Sequence, residues 1–244
     1  LKRFLILQLR PEADASDAEY AAFLKKGGLE KTRAHRIRLE RDELPEALDP
    51  ADYAGVIVGG GPGCVSDAPD KKSDEHARIE AAVMSLMPRI AEGDIPFLGC
   101  CYGIGILGKH LSAAVGKDQY GEPVGVADCI LTEAGRADPL LAGVPDRFGA
   151  FVGHKEALEE LPTGCAHLVA APSCPFQMMR YRSNVYATQF HPEADARVFE
   201  ERIEIYKHHG YFPPETAEDL ITMCRAADVH APERILRNFV QRYS

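Results

Sequence analysis

The chain has 244 residues, 45% of them hydrophobic, and its 28 Lys and Arg against 37 Asp and Glu give a formal net charge of −9. That size and composition fit a globular chain with a sizeable core rather than a disordered one. The acidic balance argues against a nucleic-acid partner, which needs clustered basic residues, and no apolar stretch approaches the ~20 residues of a membrane span.

The amino-terminal LKRFLILQLR is too short, and too soon followed by acidic residues, to read as a secretory signal. Within it, RFLILQL (3–9) is a continuous apolar run of the kind that fills a buried strand. A helix capped by Ser16 or Asp17 follows, with Tyr20, Phe23 and Leu24 on one face and Gly27-Gly28 at its end. HRIRL (35–39) alternates as a strand does, and AGVIVGG (54–60) is a second buried strand that runs into glycines. A helix over 74–92, started by Ser73 or Asp74, leads to the strand IPFLG (95–99). Strands interleaved with helices in this way predict a mostly parallel central sheet with helices on both faces.

The second half is strand-rich: 123–132, 147–153, 166–171, 176–181 and 185–190, with RSN marking a hairpin, predict an antiparallel extension of the sheet. Beyond Pro192 the pattern is helical. Thr216 and Asp219 fit a capping box, and Ile235, Leu236, Phe239, Val240 and Tyr243 form an apolar face. With no linker and no repeat, a single domain over 1–244 with a helical extension from about 194 is expected.

Seven cysteines, at 64, 100, 101, 129, 165, 174 and 224, never fall in C-x-x-C spacing. They fit neither a disulfide framework nor a zinc site, so a reducing, cytoplasmic setting is expected, without metal or cofactor. Two of them are adjacent in GCCYGIG (99–105), at the end of a strand. In open α/β sheets chemistry gathers at the carboxyl ends of strands, where this chain also brings VGGGPG (58–63) and QFHPE (189–193). Together they offer a thiol, an imidazole, a carboxylate and glycine loops with bare N–H groups, the parts of a cysteine-nucleophile site. Cys101 is the expected nucleophile. Gly99 and Gly103 bracket it, and it lies at a helix start, where the dipole lowers a thiol's pKa. Cys100 is expected to point back into the sheet. Glu193, two residues beyond His191 in extended chain, can reach the imidazole from behind. GGGPG lacks the Lys-Ser/Thr ending of a phosphate-binding loop.

GGGPG, GCCYG and HPE, in that order, resemble the class I glutamine amidotransferase family over roughly residues 1–200, in particular stand-alone relatives of the GMP synthase glutaminase domain. The resemblance implies a flavodoxin-like α/β fold and a glutamyl thioester on Cys101. It implies His191 as the proton carrier oriented by Glu193, and an oxyanion hole from the N–H groups of Gly61 and Tyr102. It also places Gly60, Gly63, Gly105, His154, Lys155 and Glu156 beside the substrate. The chain departs from the family in two places: Gly105 stands where a substrate-binding glutamine is usual, and a serine-histidine-glycine-aspartate core is altered to Gly153, His154, Lys155 and Glu156. The expected activity is ammonia release from glutamine, a small-molecule substrate. No ATP-binding synthetase domain fits in the chain, so any acceptor chemistry falls to a synthetase partner. The alternatives are a stand-alone hydrolase of γ-glutamyl amides and a non-catalytic regulatory domain.

Overall fold

The structure, a computed structural model, describes residues 1–244. The first half runs β1 (Phe4–Gln8), α1 (Ala13–Gly27), β2 (Ala34–Arg38), β3 (Gly55–Val58), α2 (Asp74–Glu92), β4 (Phe97–Cys100) and α3 (Tyr102–His110). The second half runs β5 (Val115–Gly116), β6 (Glu122–Leu131), α4 (Glu133–Ala137), β7 (Arg147–His154), β8 (Ala157–Leu158), β9 (Cys165–Ala170), β10 (Met178–Tyr181) and β11 (Val185–Thr188). Three helices close the chain: α5 (Ala196–Tyr206), α6 (Ala217–Ala226) and α7 (Ala231–Tyr243).

Nine strands form one sheet in the order β2-β1-β3-β4-β11-β10-β9-β6-β7, and β5 pairs with β8 separately. The pairs from β2 to β11 are all parallel, and those from β11 to β7 are all antiparallel. The mostly parallel sheet with its antiparallel extension is therefore as the sequence predicts. β11 is the joint, parallel to β4 on one side and antiparallel to β10 on the other.

Strand alternation divides the core. Phe4 and Ile6 of β1 enter a cluster with Phe23 of α1 and Phe239 of α7, while Leu5 and Leu7 join Val83 and Met87 of α2 on the opposite face. The apolar face of α7 is buried as expected, with Ile235, Leu236 and Phe239 fully enclosed. A third cluster joins Phe151 of β7 to Phe199 and Ile203 of α5 and Ile221 of α6, which fixes the terminal helices near the strand ends.

Two helix starts differ from expectation. α1 begins at Ala13, so Ser16 and Asp17 lie inside it. Ser16 is fully buried; its hydroxyl accepts from Arg36 and its carbonyl from Gln8. These tertiary bonds outweigh its capping preference. Thr216 does not cap α6 by its side chain; its hydroxyl donates to the Pro213 carbonyl within a 3₁₀ turn over Pro214–Thr216. Ser73 caps α2 by accepting from the His76 N–H, and Gly28 ends α1 in the left-handed conformation, both as predicted. No helix is long and apolar enough to cross a membrane.

Candidate active site

The carboxyl ends of β1, β3, β4 and β11 converge, delivering Arg10, the 59–63 glycine loop, Cys101 and His191 to one edge of the sheet. Cys101 sits between β4 and α3 with φ 54° and ψ −95°. This left-handed backbone is unusual for a residue with a side chain. Its N–H donates to the Thr188 carbonyl at 2.8 Å, which ties the turn to β11. The glycine bracket is one-sided in its effect. A Cβ on Gly99 would lie 2.9 Å from the Gly103 carbonyl group, whereas one on Gly103 would meet nothing closer than 3.7 Å. Gly99→Ala is therefore expected to destabilise the fold by about 1–3 kcal/mol, as overpacking does, and Gly103→Ala by less; denaturant midpoints measure both. Cys100 is fully buried in the core and faces away from the cleft, as expected.

His191 follows β11, and its Nδ1 and Glu193 Oε1 share a hydrogen bond of 3.0 Å. Cys101 and His191 both approach Gly60 and line one chamber. A methyl group on Gly60 would lie 2.8 Å from His191 Cε1, 2.8 Å from Arg10 Nη2 and 3.6 Å from Cys101 Cβ. A side chain at this position would collide with the His191 ring. The Gly60 N–H is spent on Glu19 Oε1 at 3.2 Å. The Gly61 N–H has no protein acceptor, and Tyr102 opens α3, where N–H groups lack intrahelical partners. Gly61, Cys101 and Tyr102 line the same cleft. The Tyr102 hydroxyl donates to Glu80 on α2 and so anchors the turn from behind.

Charged residues that sequence reading missed hold this arrangement. Glu193 Oε1 also accepts from Arg202 of α5 at 2.6 Å. Arg10 donates to Glu19 at 2.9 Å and to the Tyr206 hydroxyl at 3.3 Å. Burial opposes ionisation of Glu193, but the neighbouring charges of His191 and Arg202, with their hydrogen bonds, outweigh it and hold the carboxyl well below its usual range. Burial pushes His191 below its ordinary value of 6.5, and Glu193 offsets only part of that. Burial also pushes the Cys101 thiol up to about 12, against the opposing charge of Arg10. Burial thus opposes the acidification expected from the helix terminus. At neutral pH the pair is a thiol beside a neutral imidazole, which suits general-base activation.

The sign of the pH dependence follows. The imidazole must be neutral to accept the thiol proton, so kcat/KM should hold as pH falls through 6.5 and drop only below it. Both His191 and Glu193 have depressed values in the folded state, so the unfolded chain binds protons more readily and acidification erodes stability. A pH–rate profile and a series of melting temperatures between about pH 4 and 8 check the two effects.

Beside Cys101 lies a cleft lined by Gly61, Gly63, Gly105, His154, Lys155 and Glu156 among others. Gly60 lies behind it, beneath His191. His154 commits both ring nitrogens to protein, to Glu122 Oε2 at 2.7 Å and to the Glu156 carbonyl at 2.9 Å. It therefore braces the loop and offers the cleft no free polar atom. Glu156 accepts from the N–H groups of Val65 and Ser66 and from the Ser66 hydroxyl at 2.8, 2.9 and 2.6 Å. It clamps the glycine loop to the 153–157 loop. A Cβ on Gly105 would stand 2.9 Å from Glu156 Oε1, so this carboxylate occupies the space beside the missing side chain. Lys155 Nζ rests 4.4 Å from the centre of the Tyr211 ring.

A cysteine turn with positive φ and an imidazole–carboxylate pair thus share one edge of the parallel sheet. The chain belongs to the class-I glutamine amidotransferase family, whose model matches residues 24–207. It is 28% identical over 156 residues to a glutamine-hydrolyzing GMP synthase subunit of Natronomonas pharaonis, covering 64% of this chain and 72% of that protein. It is 31% identical over 142 residues to the glutamine-hydrolyzing GMP synthase of Dehalococcoides mccartyi, covering 57% of this chain and 23% of that one. The chain thus spans about a quarter of that longer relative. A glutamine amidotransferase from Thermotoga maritima superposes with a TM-score of 0.72 at 20% identity, over 100% of this chain and 98% of that one.

Proposed function

We propose that the chain is an amidohydrolase that releases ammonia from glutamine through a thioester on Cys101. The observation that carries this reading is the left-handed Cys101 turn and His191 lining one chamber beside Gly60, with Glu193 bonded to the imidazole Nδ1. His191 takes the thiol proton as Cys101 Sγ attacks the side-chain amide carbon. The N–H groups of Gly61 and Tyr102 receive the oxyanion, and His191 returns the proton to the departing ammonia. Water, activated by the same imidazole, then cleaves the thioester to glutamate. Glu193 keeps the Nδ1 proton in place and stabilises the imidazolium. Gly60, Gly63, Gly105, His154, Lys155 and Glu156 form or support the substrate cleft, with Lys155 the cation available to the substrate's α-carboxylate.

The relatives named as GMP synthase subunits support a version in which ammonia passes to a synthetase partner. The free state of all seven cysteines agrees with a cytoplasmic setting. A second version, hydrolysis of γ-glutamyl amides without a partner, is favoured by Gly105 and the Glu156 clamp, which alter the cleft beside the thiol. Ammonia release from glutamine by the purified chain, compared with amine release from a panel of γ-glutamyl amides, tests both. Turnover of none of these compounds, with no increase on adding a synthetase partner, would leave the non-catalytic alternative standing.

A further inference from the structure

Glu19 of α1 belongs to none of the motifs that build the site, yet it is fully buried against the glycine loop. A glutamate is rarely enclosed unless it is paired, and the three donors around this one all come from strand ends that carry the site. Its Oε1 accepts from Arg10 Nε at 2.9 Å and from the Gly60 N–H at 3.2 Å, and its Oε2 accepts from Gln8 Nε2 at 3.0 Å. Arg202 Nη2, which holds Glu193, stands 3.7 Å from Oε1. A Cβ on Gly59 would run into the carboxylate, so the loop lies directly on it.

A run of three glycines, 59–61, has more conformational freedom than any other tripeptide. Such a run aims an N–H group only if something outside it fixes the peptide planes. The donors are assigned in order along the run. The Gly59 N–H continues the ladder to the Leu7 carbonyl at 3.0 Å, the Gly60 N–H goes to Glu19, and the Gly61 N–H meets no protein acceptor. Glu19 is thus the last fixed point before the free donor. For stability alone the carboxylate is a poor choice, because a buried ion pair gains little over a well-packed apolar side chain of similar size.

We infer that Glu19 is a positioning residue: by holding the Gly60 N–H it sets the peptide plane that follows, and so aims the Gly61 N–H into the cleft beside Cys101. This rests on the amidohydrolase reading, in which that N–H receives the oxyanion. It gives Glu19 a part in transition-state stabilisation without contact to substrate. What matters in this role is the reach of one oxygen toward Gly60 rather than its charge.

Two variants separate reach from charge. Glu19→Gln keeps an oxygen at the Oε1 position for Gly60 and Arg10, while Gln8, facing the new NH₂, retains the Ser16 carbonyl as acceptor. Glu19→Asp keeps the charge but withdraws it by one methylene, and so gives up the bond to Gly60. The substrate is glutamine or γ-glutamyl-p-nitroanilide, whichever the unmodified protein cleaves. Glu19→Asp should lower kcat at least about tenfold with KM within about threefold, because losing an oxyanion donor outright costs about 10²–10³. Glu19→Gln should keep kcat within about threefold. Melting temperatures should rank the two the other way, because Gln leaves the buried Arg10 without the charge of its ion-pair partner. No loss of kcat in Glu19→Asp, or a loss in Glu19→Gln at least as large, overturns the inference and leaves the catalytic reading intact. No turnover by the unmodified protein overturns the reading and the inference with it. Should Glu19→Asp not fold, amide hydrogen exchange of the unmodified protein decides. The Gly60 N–H should then exchange at least about tenfold more slowly than the Gly61 N–H, and equal rates overturn the inference.

Discussion

Cys101→Ala should lower amide turnover by at least about 10⁴-fold, while Cys100→Ala should keep most of it. The first change removes the only group in the site able to form an acyl intermediate, and what survives is binding and the oxyanion donors, a residue of activity familiar from other nucleophile deletions. The second removes a fully buried sulfur from the core. Its cost is a small cavity worth about 1 kcal/mol of stability, read as a shifted unfolding midpoint with kcat nearly unchanged. Equal losses in the two variants would mean that the 96–105 segment matters for packing rather than for chemistry.

Glu193→Gln should lower kcat by about 10²–10⁴-fold with a smaller effect on KM. One carboxylate oxygen accepts from both His191 and Arg202. A glutamine oxygen can still accept from both, its NH₂ taking the place of the partnerless Oε2, but the amide lacks the negative charge that stabilises the imidazolium. Glu193→Ala goes further, because it removes the acceptor of Arg202 Nη2 as well as the charge, and stripping a buried charged group of its partner costs about 3–5 kcal/mol. The two variants thus separate chemistry from stability: Gln is expected to fold and fail to turn over, and Ala to lose melting temperature as well. Steady-state kinetics beside thermal unfolding reads both.

How far the sequence could be read depended on whether the information was local. The buried parallel strands were legible because β1, β3 and β4 are short apolar runs between turn signals, a consequence of burial on both faces. The cysteine turn and the HPE pair were legible because strain and i, i+2 geometry are local properties. The start of α1 was misread because Ser16, a good cap by chemistry, is drawn inward by Gln8 and Arg36, eight residues before it and twenty after it. The charged support of the site was invisible for the same reason. Arg10 ends an apolar run like any surface residue, and its partner Tyr206 lies 196 positions away. Arg202 looks like one more charge on an amphipathic helix until the fold turns it toward Glu193. The burial that opposes the thiol's ionisation was not legible, because the helix start is a sequence feature whereas burial belongs to the whole fold.

The claim that everything else serves is that one sulfur, among seven, is activated by His191 for attack on a glutamine-like carbonyl. Incubation with a glutamine-analogue diazoketone, followed by intact mass and peptide mapping, tests it directly. The account predicts a single adduct on Cys101, formed in Cys100→Ala and absent from Cys101→Ala. An adduct that survives loss of Cys101, or that maps to any of the other six thiols, would contradict it.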